Sequence, residues 1–211
     1  MTTARLRELQ TAADHLSKND PHLAPIIARF GLCAIEPHDD YYRELVDSII
    51  SQQLSVKASA TIVKRFVALF GDKFPTPEQI LQRDIEELRA VGMSRSKANY
   101  VLDLALHIVE GKLQPKKLPS LPNDEVIREL VAVKGIGEWT AHMFLIFSLG
   151  RLDILATGDL GVRMAMKKLY SLDAAPKPDE MRAIADKFTW HPYESIACWY
   201  LWKSLDNEPK L

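Results

Sequence analysis

The chain has 211 residues, 47% of them hydrophobic and 26% charged, with a formal net charge of −1. That length buries a sizeable core in one large or two small domains, and the composition is that of an ordinary globular chain. The near-neutral balance argues against a general polyanion binder, and two cysteines, Cys33 and Cys198, are too few for a Cys-rich iron–sulfur or zinc site.

In chain order the periodicity is helical. Residues 1–5 open into a charged amphipathic segment rather than a secretory leader, and no apolar run approaches a membrane span, so no membrane partner is expected. Tyr42, Leu45, Val46, Ile49 and Ile50 recur at helical spacing, as do Ile62, Val63, Phe66, Val67 and Phe70 before Gly71. Pro75-Thr76-Pro77-Glu78 starts a further helix with proline in its first turn. Asp84 to Arg89 reads as a short capped helix closed by Gly92, and Ser94-Arg95-Ser96-Lys97 opens the next, running to Gly111. A linker from Lys112 holds Pro115, Pro119 and Pro122, and residues 123–130 then read as a capped helix. Asp159 begins a helix through Leu169, Pro178 precedes another, and the chain closes on a helix from Tyr193 to Leu205. No alternating strand or hairpin signal stands out, so the reading is all-α with about ten helices. The two thiols allow one disulfide but are more often buried small hydrophobes.

The most informative stretch is Val133-Lys134-Gly135-Ile136-Gly137, between two helical segments and followed 22 residues later by Asp159. Two glycines one residue apart allow a turn too tight for β-carbons, with backbone amides directed outward. Such amides at a helix start bind anions, and a nucleic-acid phosphate is a natural candidate. Between positions 89 and 117 six basic residues (Arg89, Arg95, Lys97, Lys112, Lys116, Lys117) face two acidic ones, Asp103 and Glu110. On charge alone this is a solvated surface; next to the glycine turn it mildly supports a DNA-binding face.

These motifs, with Ser48-Ile49-Ile50-Ser51-Gln52-Gln53-Leu54-Ser55, Leu88 to Ala98 and Thr157-Gly158-Asp159-Leu160-Gly161-Val162, resemble the helix-hairpin-helix DNA glycosylase superfamily. Within it the chain is similar to compact 3-methyladenine DNA glycosylases of the alkylation-repair type, over roughly residues 40–205. The resemblance implies a two-lobed helical fold without an N-terminal β domain. One lobe is a central bundle at 41–118; the other joins 1–40 to 119–211 and carries the hairpin at about 123–149, near the cleft. It further implies a monomer acting on double-stranded DNA that contains alkylated bases, in the bacterial cytoplasm with the nucleoid or in a eukaryotic nucleus. No cofactor or catalytic metal is implied, only a monovalent cation bridging the hairpin carbonyls and a DNA phosphate. His107, His142 and His191 show no ligand spacing.

Asp159 is the catalytic candidate. Its modest role is an N-cap, worth about 1 kcal/mol. Its chemical role follows from glycosidic cleavage, which builds positive charge on the sugar that a fixed carboxylate stabilises while it orients or deprotonates water. Gly158 and Gly161 flank it and leave space for a nucleotide backbone. Strand-nicking relatives carry a Schiff-base lysine two residues after the second hairpin glycine; here that position is Trp139, and an indole forms no imine. The resemblance places Trp139 and Tyr193 in an aromatic base pocket, where cation–π attraction of about 0.5–2 kcal/mol suits cationic alkylpurines. Met143 replaces another pocket aromatic. Trp190, Trp199, Tyr200 and Trp202 read mostly as core. DNA contacts are implied at Gln52, Gln53, Gly92, Ser94, Ser96 and Lys97, and at the hairpin residues Lys134, Gly135, Ile136, Gly137 and Thr140. Gln53 stands at the wedge position that fills the gap left by a flipped base. Two other readings stay open: a non-catalytic helix-hairpin-helix module in which Asp159 only caps, and a mismatch or oxidised-base glycosylase of the same superfamily.

Overall fold

The computed structural model describes residues 1–205. Among them are twelve α-helices, a 3-10 turn at Pro115–Ser120 and a π-helical turn at Phe144–Ser148, with no strand. None is long and apolar enough to cross a membrane. The all-α expectation holds, with more helices than the ten that periodicity suggested.

The chain forms two compact units. One is the continuous stretch His38–Phe144; the other joins Met1–Pro37 to the chain from Leu145 onward. The expected boundary at 118 is therefore corrected to 144, and the hairpin belongs to the continuous unit. The reason is local bonding. The amide of Lys134 donates to Asp103 Oδ2 at 2.9 Å and Gln52 Nε2 donates to the Gly135 carbonyl at 2.8 Å, so hairpin and bundle form one body.

In the continuous unit, α3 (Tyr41–Ser51) packs on α4 (Val56–Leu69) and α7 (Arg95–Val109), and α7 also takes α5 (Pro77–Leu81) and α6 (Ile85–Ala90). The apolar stripe Leu45, Val46, Ile49 and Ile50 that periodicity marked on α3 is wholly buried. Thr76, Asp84 and Ser94 cap α5, α6 and α7 as their side-chain types suggest. The next helix, α8 (Asn123–Val131), differs: it follows Pro122 with no side-chain cap, and Asn123 is its first helical residue. The linker before it is ordered by Leu118, which is fully buried.

In the other unit, α1 (Thr3–Asn19) and α2 (Ala24–Phe30) pack on α12 (Glu194–Leu205), which also packs on α10 (Leu160–Leu169); α11 (Pro178–Lys187) buries Met181 and Ala185. Asp20 is fully buried and accepts four hydrogen bonds. Its Oδ1 takes the amides of His22 (2.9 Å) and Leu23 (3.2 Å), and its Oδ2 takes Tyr170 Oη (2.5 Å) and Trp190 Nε1 (2.8 Å). Burial and this carboxylate together push the Tyr170 phenol well above its ordinary range. Cys33 and Cys198 are both buried free thiols, not a disulfide; burial raises them to about 11 and about 12. Removing the Asp20 acceptor strands four donors, so Asp20→Ala should cost about 3 kcal/mol or more. A thermal melt should then fall by roughly 6–12 °C; a fall below about 2 °C would show that the network is dispensable.

Candidate active site

The hairpin is held from beneath by side chains of its own unit. Gly135 has φ +85°, a conformation that L side chains rarely adopt, and a β-carbon there would lie 2.1–2.7 Å from the Tyr100 ring. Gly137 is different: its φ is −94° and a β-carbon would meet nothing within 4 Å. The expectation that both glycines are sterically required is therefore corrected; only Gly135 is.

Alternate amides of the hairpin turn inward. Lys134 N–H goes to Asp103 and Ile136 N–H to the Val133 carbonyl at 3.1 Å. Among the described residues neither glycine amide meets an acceptor of the chain. Gly137 starts α9 (Glu138–Met143) without any side-chain cap, so the first turn of α9 presents its amides at that point.

Several expected DNA contacts take other roles. Gln52 holds the Gly135 carbonyl, whereas Gln53 is exposed with φ +59° at the tip of the turn after α3. Lys97 donates from Nζ to the carbonyls of Ile50 (2.8 Å) and Gln52 (2.6 Å), closing the end of α3 rather than extending outward. Burial accordingly lowers the affinity of that ammonium for its proton. Ser94 accepts the Lys97 amide at 3.2 Å as the cap of α7, and Gly92 and Ser96 are exposed beside it. Ser96 lines a shallow depression of about 450 Å³ with Tyr100, Asp103 and Lys134. Lys134 Nζ pairs with Asp103 at 3.2 Å. The side chains of Ile136 and Thr140 are buried, so neither reaches outward. The basic cluster also shrinks. Glu86 takes both Arg89 (2.6 Å) and Arg95 (2.5 Å), and Lys112 pairs with Glu110 at 2.7 Å, leaving the exposed Lys116 and Lys117.

The hairpin's only candidate cation ligands are backbone carbonyls, hard oxygen donors that suit a monovalent ion rather than a transition metal. Gly135 and Val133 carbonyls already accept one bond each and keep a second lone pair. Among the described residues no cluster of three His, Cys, Asp or Glu side chains could hold a metal.

In the other unit, Asp159 is the N-cap of α10: its Oδ1 accepts the Val162 amide at 2.8 Å. The same oxygen accepts Trp202 Nε1, also at 2.8 Å. Phe147 lies tilted on the Trp202 ring with centroids 5.6 Å apart, and is 37% exposed. The π-helical turn directs it outward while Leu145 and Ile146, its neighbours, are fully buried. This carboxylate with two aromatic rings is the chemically most pointed cluster of the unit. Sequence reasoning missed both rings. The signal for Trp202 was Gly161, whose β-carbon would lie 3.1 Å from Asp159 Oδ1 and 3.2 Å from Trp202 Cδ1. The space at Gly161 thus belongs to the indole, not to a nucleotide backbone as expected; Gly158 is exposed.

Tyr193 stands apart from this cluster. It precedes α12, nine positions before Trp202 and so about 13 Å along the axis. Its ring meets His15 edge-on at 5.1 Å, in a surface depression lined by Glu8, Arg151, Asp153 and His191. In the hairpin's unit Trp139 is 46% exposed on α9 and Met143 is half-buried.

The two glycines should separate in a melt. Gly135→Ala should lose about 1–3 kcal/mol from backbone strain alone, before displacement of Tyr100 is counted. Gly137→Ser, with open space and a good capping side chain, should melt within about 2 °C of the parent. Equal losses in both variants would contradict this division.

Comparison with known proteins agrees with the geometry. Residues 46–189 match the family described as HhH-GPD superfamily base excision DNA repair protein. DNA-3-methyladenine glycosylase 1 of Schizosaccharomyces pombe is 38% identical over 77% of this chain and 72% of its own length. A crystal structure of a DNA-3-methyladenine glycosidase from Bacillus halodurans superposes with TM-score 0.81 at 36% identity, covering 92% of this chain and 88% of that one. The Schizosaccharomyces pombe 3-methyladenine DNA glycosylase Mag1, in complex with abasic DNA, superposes with TM-score 0.79 at 32% identity, covering 93% and 97%. A hairpin with outward amides, a helix-capping aspartate downstream and a family match spanning both place this chain in the HhH-GPD superfamily of base excision DNA repair proteins.

Proposed function

We propose that this protein is a monofunctional DNA glycosylase that flips alkylated purines out of duplex DNA and hydrolyses their glycosidic bonds. The observation that carries the reading is the Asp159 carboxylate, fixed at the start of α10 by two donors and accompanied by the exposed ring of Phe147. The names of the similar yeast and Bacillus proteins support alkylated purines as the substrate class.

The chemistry assigns each part a task. Departure of the base leaves positive charge on the deoxyribose, and the fixed carboxylate stabilises it and orients the attacking water. A cationic 3-methyladenine or 7-methylguanine already has a weakened bond, so the enzyme adds electrostatics rather than strong acid catalysis. Aromatic faces attract such cations. Trp139, at the position of the imine-forming lysine, offers no amine, so the product is an intact abasic strand. Glycine amides at Gly135 and Gly137 and the α9 first turn supply donors for phosphate, and Gln53 at its exposed turn supplies the wedge. The protein acts as a monomer.

Because most nearby cations are already ion-paired, duplex binding should show a log–log salt slope of roughly −3 to −4.5, from about three to five phosphates. Gly137→Ser should weaken that binding while keeping the melt. A slope near zero would remove the nucleic-acid reading.

One alternative has a specific observation behind it. Asp159 does cap α10, which is all that a non-catalytic DNA-binding module requires of it. Asp159→Asn separates the two, since asparagine caps about as well. Loss of the charge should slow single-turnover excision about 10²–10³-fold with abasic-analogue binding retained. Normal excision by a folded Asp159→Asn would leave only the capping role. A borohydride-trapped adduct with the parent protein would overturn the monofunctional assignment.

A further inference from the structure

We propose that Trp202 is the positioning residue of Asp159, an inference that rests on the catalytic reading of that carboxylate. An N-cap needs one hydrogen bond, from the Val162 amide to Oδ1; here the same oxygen accepts a second from the indole of Trp202. Indole nitrogen is a donor only, so the direction of this bond is unambiguous. Two donors from different helices converging on Oδ1 fix both side-chain torsions of Asp159, and with them the direction of Oδ2.

The indole is itself held. Phe147 lies tilted against its ring, and α12 packs on α10, both helices burying apolar side chains, Cys198 and Leu201 on one and Val162 and Met166 on the other. Gly161 keeps the approach clear, because any β-carbon there would press on both bonded partners at 3.1–3.4 Å. A carboxylate that must stabilise a transient cation gains from such fixing, because a preorganised charge needs no rotation as the reaction proceeds. Without the indole donor the cap bond survives, but Oδ1 loses the constraint that comes from α12.

The test is a double-mutant cycle. Trp202→Phe removes the N–H and keeps an aromatic ring on Phe147. Single-turnover excision of 7-methylguanine from methylated duplex should slow about ten-fold. Binding to a duplex carrying a tetrahydrofuran abasic-site analogue should stay within about two-fold. In an Asp159→Asn background the same substitution should cause no further loss, since the two residues act as one unit. The lability of the cationic lesion keeps that slow background measurable. Gly161→Ala, whose β-carbon would crowd Oδ1 and the indole at 3.1–3.4 Å, should behave in the same way and gives a second route should Trp202→Phe fold poorly. An unchanged rate in folded Trp202→Phe, or an equal loss in the Asp159→Asn background, overturns the positioning role while the catalytic aspartate stands. Full excision by Asp159→Asn alone overturns the catalytic reading, and the positioning role with it.

Discussion

The contact of the Tyr100 ring with Gly135 sets the geometry on which the hairpin's unit depends. With no β-carbon between them, the backbone of Gly135 comes down onto α7 in a left-handed conformation. Its carbonyl then meets Gln52, and the Gln52 carbonyl meets the Lys97 ammonium. One chain of contacts so connects α7, the end of α3 and the hairpin. The proposed wedge at Gln53 and the candidate phosphate donors share this one scaffold, the arrangement needed when backbone contacts must set the register of a flipped nucleotide.

Asp159 follows a comparable logic in the other unit. A cap must sit at the first turn of its helix, so its backbone position is dictated by the start of α10. Capping and the proposed catalytic role then place the same demand on the backbone. The helix start fixes where the carboxylate is, and the Trp202 donor reaches the same oxygen from α12.

What was legible in the sequence followed from residue types with strong local preferences. Caps at Asp84, Ser94 and Asp159, the stripe on α3 and the glycine hairpin all express short-range physics. What was not legible depended on partners distant in sequence. Glu86 neutralises Arg95 nine positions away, so a count begun at residue 89 overstated the basic face. Lys97 and Gln52 were read as DNA contacts because nothing local shows that they close on backbone carbonyls. Trp202 was hidden because α12 carries apolar residues around most of its circumference, which leaves no face to single out. Tyr193 was assigned by position in a motif, and the fold puts its ring against α1.

Asp20 has a consequence for how the molecule is made. Its four donors come from two adjacent amides and from residues 150 and 170 positions further along the chain. The segment Met1–Pro37 and its partners from Leu145 onward are separated by the whole of the other unit. During synthesis α1 and α2 emerge well ahead of Trp190, and the Asp20 network cannot close until that residue has left the ribosome. At about 5–20 residues per second that interval is roughly 8–30 s. The continuous unit can collapse within it. Helices made before the continuous unit are thus fully buried only after it, a long-range closure of the kind that slows folding.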